Sequence, residues 1–253
     1  AEKFGESSAW TIVVANPQES RDTLGHAEPA VAVRGYWRIG PADVYAVARD
    51  GSSTGWRAGA AIAYVASEGF EWHASVLRAR HLTQFAPTQT AFGVPLGYDV
   101  IRADAGWQAL AGFSWTTANK ISILVEAWHD DRAWDDEQWR NWNRSLTTVA
   151  SLPIPTASRV GLTAGAAEAL GTPSLRRDNI VARLSRTGEK FSPSADVLYT
   201  PEDGGLIATA RLDWTGNRIN AEIGWREALG ATHSIARQLP FERILYASID
   251  VSF

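Results

Sequence analysis

Glu242-Arg-Ile-Leu-Tyr-Ala-Ser-Ile-Asp-Val-Ser-Phe253 closes the sequence. From Leu245 onward apolar and polar residues alternate. Leu245, Ala247, Ile249, Val251 and Phe253 share one parity; Tyr246, Ser248, Asp250 and Ser252 share the other. A strand turns successive side chains to opposite faces, so this segment predicts a strand with one greasy side and one wet side. Such a strand would also suit the edge of an ordinary soluble β domain. The rest of the chain has to say what the greasy side meets.

The same alternation recurs upstream, between turn-rich gaps. The pattern predicts strands over 7–15, 28–39, 41–49, 55–66, 70–80, 106–116, 119–128, 145–151, 158–169, 178–186, 190–199, 205–214, 218–228 and 242–253. A helical period could run only in the loop around 131–143 and none alternates with the strands, which argues against a βαβ parallel sheet. The expected class is all-β and antiparallel, with about fourteen strands. The gaps are sorted by length. Those at 16–27, 50–54, 81–105, 129–144, 170–177, 200–204 and 229–241 are medium or long. The alternate gaps, near 40, 67–69, 117–118, 187–189 and 215–217, are very short; 152–157 is the exception.

Composition narrows the class further. Among 253 residues no run of about 18 apolar residues occurs, so no transmembrane helix is expected. A spanning strand needs only about 9–11 residues, every second one apolar, so hydropathy averaging would hide a membrane barrel. The net charge of −4 gives no footprint for nucleic acid. Without cysteine there is neither a disulfide framework nor a thiol metal site. There is no methionine, and a start at Ala1 would fit cleavage of a secretory signal peptide. Three of the 24 basic residues are lysine (3, 120 and 190), leaving 21 arginines, and tryptophan is abundant at 12. Trp37, Trp72, Trp115, Trp214, Phe253 and Trp10 would sit at one end of the strands. Trp56, Trp107, Trp128, Tyr199 and Trp225 would sit at the other. Two such belts are expected where strands cross two membrane interfaces.

The terminal strand, with its aromatic end and apolar residues at every second position, resembles the closing strand of bacterial outer-membrane β-barrels. Residues 190–214, with Pro201 and Gly204-Gly205 at the turn, resemble a hairpin of porin-type barrels. The resemblance spans 158–253 and implies a single antiparallel transmembrane up-and-down barrel over 1–253, in the bacterial outer membrane. Long gaps would lie outside and short ones at the periplasm. Leu245, Ile249, Val251 and Phe253 would form the signal read by the barrel assembly machinery, and the apolar face would meet outer-membrane lipid. The opposite face would line a lumen with Arg34, Arg38, Arg57, Arg183, Arg211, Arg226, Glu126, Glu222, Asp213 and Asp250. The implied function is a porin-like channel for passive diffusion of small polar solutes, with an arginine excess favouring anions. Alternatively, the charges pair and plug the lumen, giving a structural barrel that docks partner proteins in an envelope complex.

Motifs for catalysis or metal binding are missing. His26, His73, His81, His129 and His233 form no metal spacing, and neither a G-x-S-x-G elbow nor a Walker loop occurs, so neither an enzyme nor a cofactor is expected. His73 and Ser75 share a strand face and could seed an outer-membrane lipid hydrolase; a polar lumen pair is the plainer reading. In 129–143, carboxylates at 130, 131, 135, 136 and 137 interleave with Trp134, Trp139 and Trp142, without EF-hand spacing. This loop could be a solvated cap, narrow a pore, or present its tryptophans to a carbohydrate or a protein partner.

Overall fold

Antiparallel pairing, nearly always between neighbours in sequence, links the strands in this computed structural model. It describes residues 1–16, 28–91, 94–172 and 174–251, with backbone alone over 88–91 and 94–97. The strands are β1 (Glu2–Phe4), β2 (Ser8–Ala15), β3 (Ala30–Ile39), β4 (Ala42–Gly51), β5 (Gly55–Ser67), β6 (Phe70–Ala79), β7 (Thr83–Ala91) and β8 (Val94–Arg102). They continue with β9 (Gly106–Thr116), β10 (Ile121–Asp130), β11 (Asp178–Arg186), β12 (Phe191–Thr200), β13 (Gly205–Thr215), β14 (Ile219–Gly230) and β15 (Arg243–Val251). Thirteen of them form one sheet in chain order, interrupted only where β6 pairs directly with β9, and β7–β8 is a separate hairpin. The strands thus number fifteen rather than about fourteen.

Two predicted strands are helices. The segment 145–151 belongs to α1 (Asp136–Ser151), and 158–169 falls largely in α2 (Thr156–Ala167). Helix α1 starts at a capping box: Asp135 accepts from the Gln138 amide, and the Gln138 side chain accepts from the Asp135 amide. From there Trp139, Trp142, Leu146 and Val149 recur at helical spacing, a period masked by the β-favouring Thr147-Thr148-Val149. Helix α2 begins after Pro155 and packs against β8. The segment 81–105, expected as a loop, carries β7–β8. Its prolines at 87 and 95 argue against a strand, and the register of the hairpin shifts at Pro87.

These corrections sharpen the sorting of connections. The gap 152–157, the exception among the short ones, is the link between α1 and α2. Every remaining turn at one end of the sheet is short, while the hairpin, both helices and the 231–242 segment gather at the other end. There the buried core is built from Trp134, Trp139, Trp142, Ala169 and Ile235, with Tyr98, Leu146, Leu170 and Leu175 packed on it. The three indole N–H groups donate to the carbonyls of Phe85 (2.7 Å), Leu175 (2.9 Å) and Ala166 (2.8 Å). They therefore knit the hairpin, the returning loop and α2 into one cap. No helix among the described residues is long and apolar enough to cross a membrane.

Candidate pore face

Directly paired strand residues lie on the same side of a sheet, so the register assigns every side chain to a face. On one face run Val44, Ala46, Trp56, Ala58, Ile62, Trp72, Val76, Ala111, Phe113, Ile123, Val125, Leu184, Val197, Ala210, Leu212, Ile223, Trp225, Leu245 and Ile249. The other face carries the charged residues. All ten residues expected at a lumen share it: Arg34, Arg38, Arg57, Glu126, Arg183, Arg211, Asp213, Glu222, Arg226 and Asp250.

In β12 exposure runs opposite to hydrophobicity, whereas Arg34, Arg38, Arg183, Arg226 and Asp250 on the charged face are themselves exposed. Along β12, Phe191, Pro193, Ala195, Val197 and Tyr199 are exposed, whereas Ser192, Ser194, Asp196 and Leu198 between them are half-buried. Leu245 and Ile249 are 73% and 71% exposed, while the Asp196 side chain is 22% exposed. The polar face is crowded by its own contacts. Arg183 pairs with Asp196, directly opposite on β12. Arg211 Nε lies 3.2 Å from Asp213, Arg226 Nε donates to Thr209 Oγ1 at 3.2 Å, and the Tyr36 hydroxyl donates to Asp43 at 2.5 Å. The Arg34 guanidinium sits 5.3 Å from the centre of the Tyr45 ring. Arg57 has no ion pair or hydrogen bond among the described residues, and its Nε is buried.

The aromatic belts follow the register with one correction. Trp10, Trp37, Trp72, Trp115 and Trp214 at the short-turn end lie on the apolar face, as do Trp56, Trp107, Tyr199 and Trp225 at the cap end. Trp128 pairs with Leu110 and Asn179 and so lies on the polar face. Phe253 lies outside the described residues, while Leu245, Ile249 and Val251 share the apolar face of β15.

At the cap end residues 174–177 turn inward over the polar face. Ser174 is buried; its hydroxyl accepts from Trp128 Nε1 (3.4 Å) and Asn179 Nδ2 (3.1 Å) and donates to the Arg176 carbonyl (2.8 Å). Arg176, 2% exposed, contacts Asp136 in the first turn of α1 and Glu202 (2.8 Å) in the β12–β13 turn. Its hydrogen bond holds the Asp136 carboxyl below its usual range, while burial pushes that of Glu202 up. Beneath the cap lies a cavity of about 590 Å³ along β4–β6, β9 and β10. The tryptophans of 129–143 are core, and the N–H groups of Trp134, Trp139 and Trp142 bind carbonyls outside that segment. Among the described residues no cluster could hold a metal ion.

Sequence reasoning missed Glu28. Its buried carboxylate accepts from Arg49 (2.6 Å), from the Ser53 amide and hydroxyl (2.7 and 2.6 Å), and from the Thr54 amide and hydroxyl (2.9 and 2.5 Å). Register places Arg49 directly opposite Arg57, and this like-charge pair in the sequence was the available signal. His73, considered above with Ser75, instead approaches Glu126 at 3.0 Å, and Ser75 makes no hydrogen bond among the described residues.

No family model and no curated protein matches the chain. Among solved structures, the KdgM porin matches with a TM-score of 0.35 and 5% identity, covering 98% of each chain. The siderophore receptor PirA from Pseudomonas aeruginosa matches with a TM-score of 0.46 and 15% identity, over 97% of this chain and 46% of the receptor. The outer membrane channel DcaP of Acinetobacter baumannii matches with a TM-score of 0.42 and 11% identity, over 96% of this chain and 71% of the channel. Likenesses at these TM-scores carry no argument here, and the functional reading rests on this chain's own residues.

Proposed function

We propose that the sheet closes into an outer-membrane barrel and passes small polar solutes. One observation carries this reading: along β12 and β13 the apolar Val197, Tyr199, Ala210 and Leu212 are exposed, while Asp196, Arg211 and Asp213 on the other face are half-buried. A soluble sheet would bury Leu245, Ile249 and Ile223 and expose Asp213 and Glu222. Lipid around the sheet explains the reverse, with aromatic belts at both rims.

Lipid also demands closure, because free strand edges cannot hydrogen-bond in hydrocarbon. With β1 and the β7–β8 hairpin set aside, twelve strands run from β2 to β15, so the first and last are antiparallel and able to pair. Strand β1 lies on the free edge of β2, Phe4 opposite Ala9 and Glu2 opposite Thr11, and would move aside. The chain has no cysteine, so Thr11→Cys combined with a cysteine at Tyr246, Ser248 or Asp250 tests the seam directly. One of these pairs should cross-link in the outer membrane; cross-linking of none would rule out this closure.

Single-channel conductance of the refolded protein tests the function. Discrete ohmic steps are expected. The second reading, a plugged structural barrel, is favoured by the cap over one end and by the Arg183–Asp196 and Arg211–Asp213 pairs. A folded barrel that inserts and conducts nothing would select it.

A further inference from the structure

We propose that the cavity under the cap is a binding subsite for an uncharged pyranoside of one or two rings; its placement on a solute path rests on the channel reading above. The site is built on one row of the sheet. Tyr45, Ala61, Ser75, Leu110 and Trp128 are successive cross-strand partners from β4 to β10, so their side chains stand side by side on the polar face. Small side chains at 61 and 75 leave room between Tyr45 on one side and Leu110 and Trp128 on the other, and Arg132 and Ser174 bound the space at the cap end. Its volume, about 590 Å³, is that of a small-molecule site.

The lining selects by charge and by hydrogen bonding. Its carboxylate and guanidinium, Asp130 and Arg132, close on each other: Arg132 Nε donates to both carboxylate oxygens (3.0 and 3.1 Å) and a terminal nitrogen to one (2.7 Å). His129 is turned by the register to the opposite face, where Asp178 (2.7 Å) and Asp131 (3.0 Å) take both ring nitrogens. Among the lining side chains no free charge remains for an ion; the unpaired Arg34 and Arg57 lie outside the lining. The neutral groups are free instead. The Tyr45 hydroxyl, the Ser75 hydroxyl and the Gln108 carboxamide have no hydrogen-bond partner among the described residues. An apolar occupant would leave those groups unsatisfied, and an ion would lose its hydration without a counter-charge. A pyranose ring presents C–H groups to an aromatic face and neutral hydroxyls around its edge. Trp128, held through its N–H by Ser174, offers a fixed indole; Gln108 and Ser75 offer donors and acceptors for the hydroxyls.

The test uses the refolded full chain with maltose and methyl β-glucopyranoside as probes, gluconate as the charged control and potassium chloride as the ionic reference. Saturable quenching of tryptophan fluorescence and sugar-dependent interruption of the chloride current are expected. Gln108→Leu should weaken the sugar response about tenfold by removing its hydrogen bonds. Ser75→Ala should weaken it less. A conducting barrel without saturable sugar response, a stronger response to gluconate, or a Gln108→Leu barrel with unaltered sugar affinity would overturn the subsite. Sugar binding in a barrel that passes no current would support the subsite and overturn the channel.

Discussion

His73 Nε2 on β6 lies 3.0 Å from Glu126 Oε1 on β10, reaching over the intervening strand β9. The reach is possible because position 112, directly opposite both, is glycine. A Cβ there would come within 2.5 Å of the Val125 carbonyl oxygen and 2.7 Å of Glu126 Cγ. The backbone carbonyl cannot swing away without breaking the β9–β10 ladder. Gly112→Ala should therefore destabilise the protein by about 1–3 kcal/mol, read from denaturant unfolding. A variant as stable as the wild type would mean that the two strands stand further apart.

The inversion of faces makes a prediction at adjacent residues. Ala210 is exposed, with Trp225 opposite it on the apolar face; Thr209 is half-buried, with Arg226 opposite it on the polar one. An arginine facing lipid near the midplane costs about 2–4 kcal/mol. Thr209→Arg meets only a like charge across the strand pair, worth at most about 1 kcal/mol. Ala210→Arg should be the more damaging in folding titrations into lipid vesicles. The reverse order would assign the apolar face to the interior of a soluble barrel.

The strands were legible because each alternates on its own. The parity of β12 to β15 can be read without any partner, and all ten expected lumen residues fall on one face by register. The cap was not legible, because its segments have no meaning apart from each other. Trp134, Trp139 and Trp142 look like an exposed binding set in sequence; only their bonds to Phe85, Leu175 and Ala166 make them a core. Val149 reads as a strand residue because branching favours strands, and its packing in the cap overrode that preference. Glu28 and Arg49, 21 residues apart, meet only once β3 and β4 are paired.

The Glu28 carboxylate gives a pH dependence. Burial raises its pKa, but hydrogen bonds from Ser53, Thr54 and Arg49 outweigh this and hold it well below the usual value of 4.5. A depressed carboxylate contributes stability that is present above its unfolded value and is lost as pH falls through its folded one. The advantage of wild type over Glu28→Gln should therefore be constant from neutral pH to about 4.5 and shrink in stronger acid. Amide exchange of Ser53 and Thr54 reports it locally. An advantage that persists unchanged in strong acid would show that the charge is irrelevant to this turn.

Arg176 fastens the cap to the sheet through Asp136 on one side and Glu202 on the other. Arg176 is buried but Asp136 is largely exposed, so solvent screens the charge left behind and the loss is smaller than for a fully buried pair, about 1–3 kcal/mol. Arg176→Ala should release that energy locally, so limited proteolysis should cut within 131–177 while the sheet melts as before. A cap as resistant as in the wild type would mean that the tryptophan core alone holds it.

Ion selectivity separates paired from unpaired arginines. Arg183 faces Asp196, so its charge is largely cancelled. Arg57 has no acidic partner, and Arg34 rests on the Tyr45 ring. In a confined lumen such charges are screened less than on an open surface, although salt shortens their range from about 10 Å at 0.1 M to about 3 Å at 1 M. Arg57→Gln should move the reversal potential in a potassium chloride gradient towards cations and leave stability unchanged, with a smaller shift at high salt. Arg183→Gln should move it too, but at a cost in stability, because Asp196 is left without its partner. Arg183→Gln combined with Asp196→Asn should restore both the potential and most of the stability. If Arg57→Gln leaves the potential where it was, that guanidinium lies off the ion path and the permeant route runs along another part of the polar face.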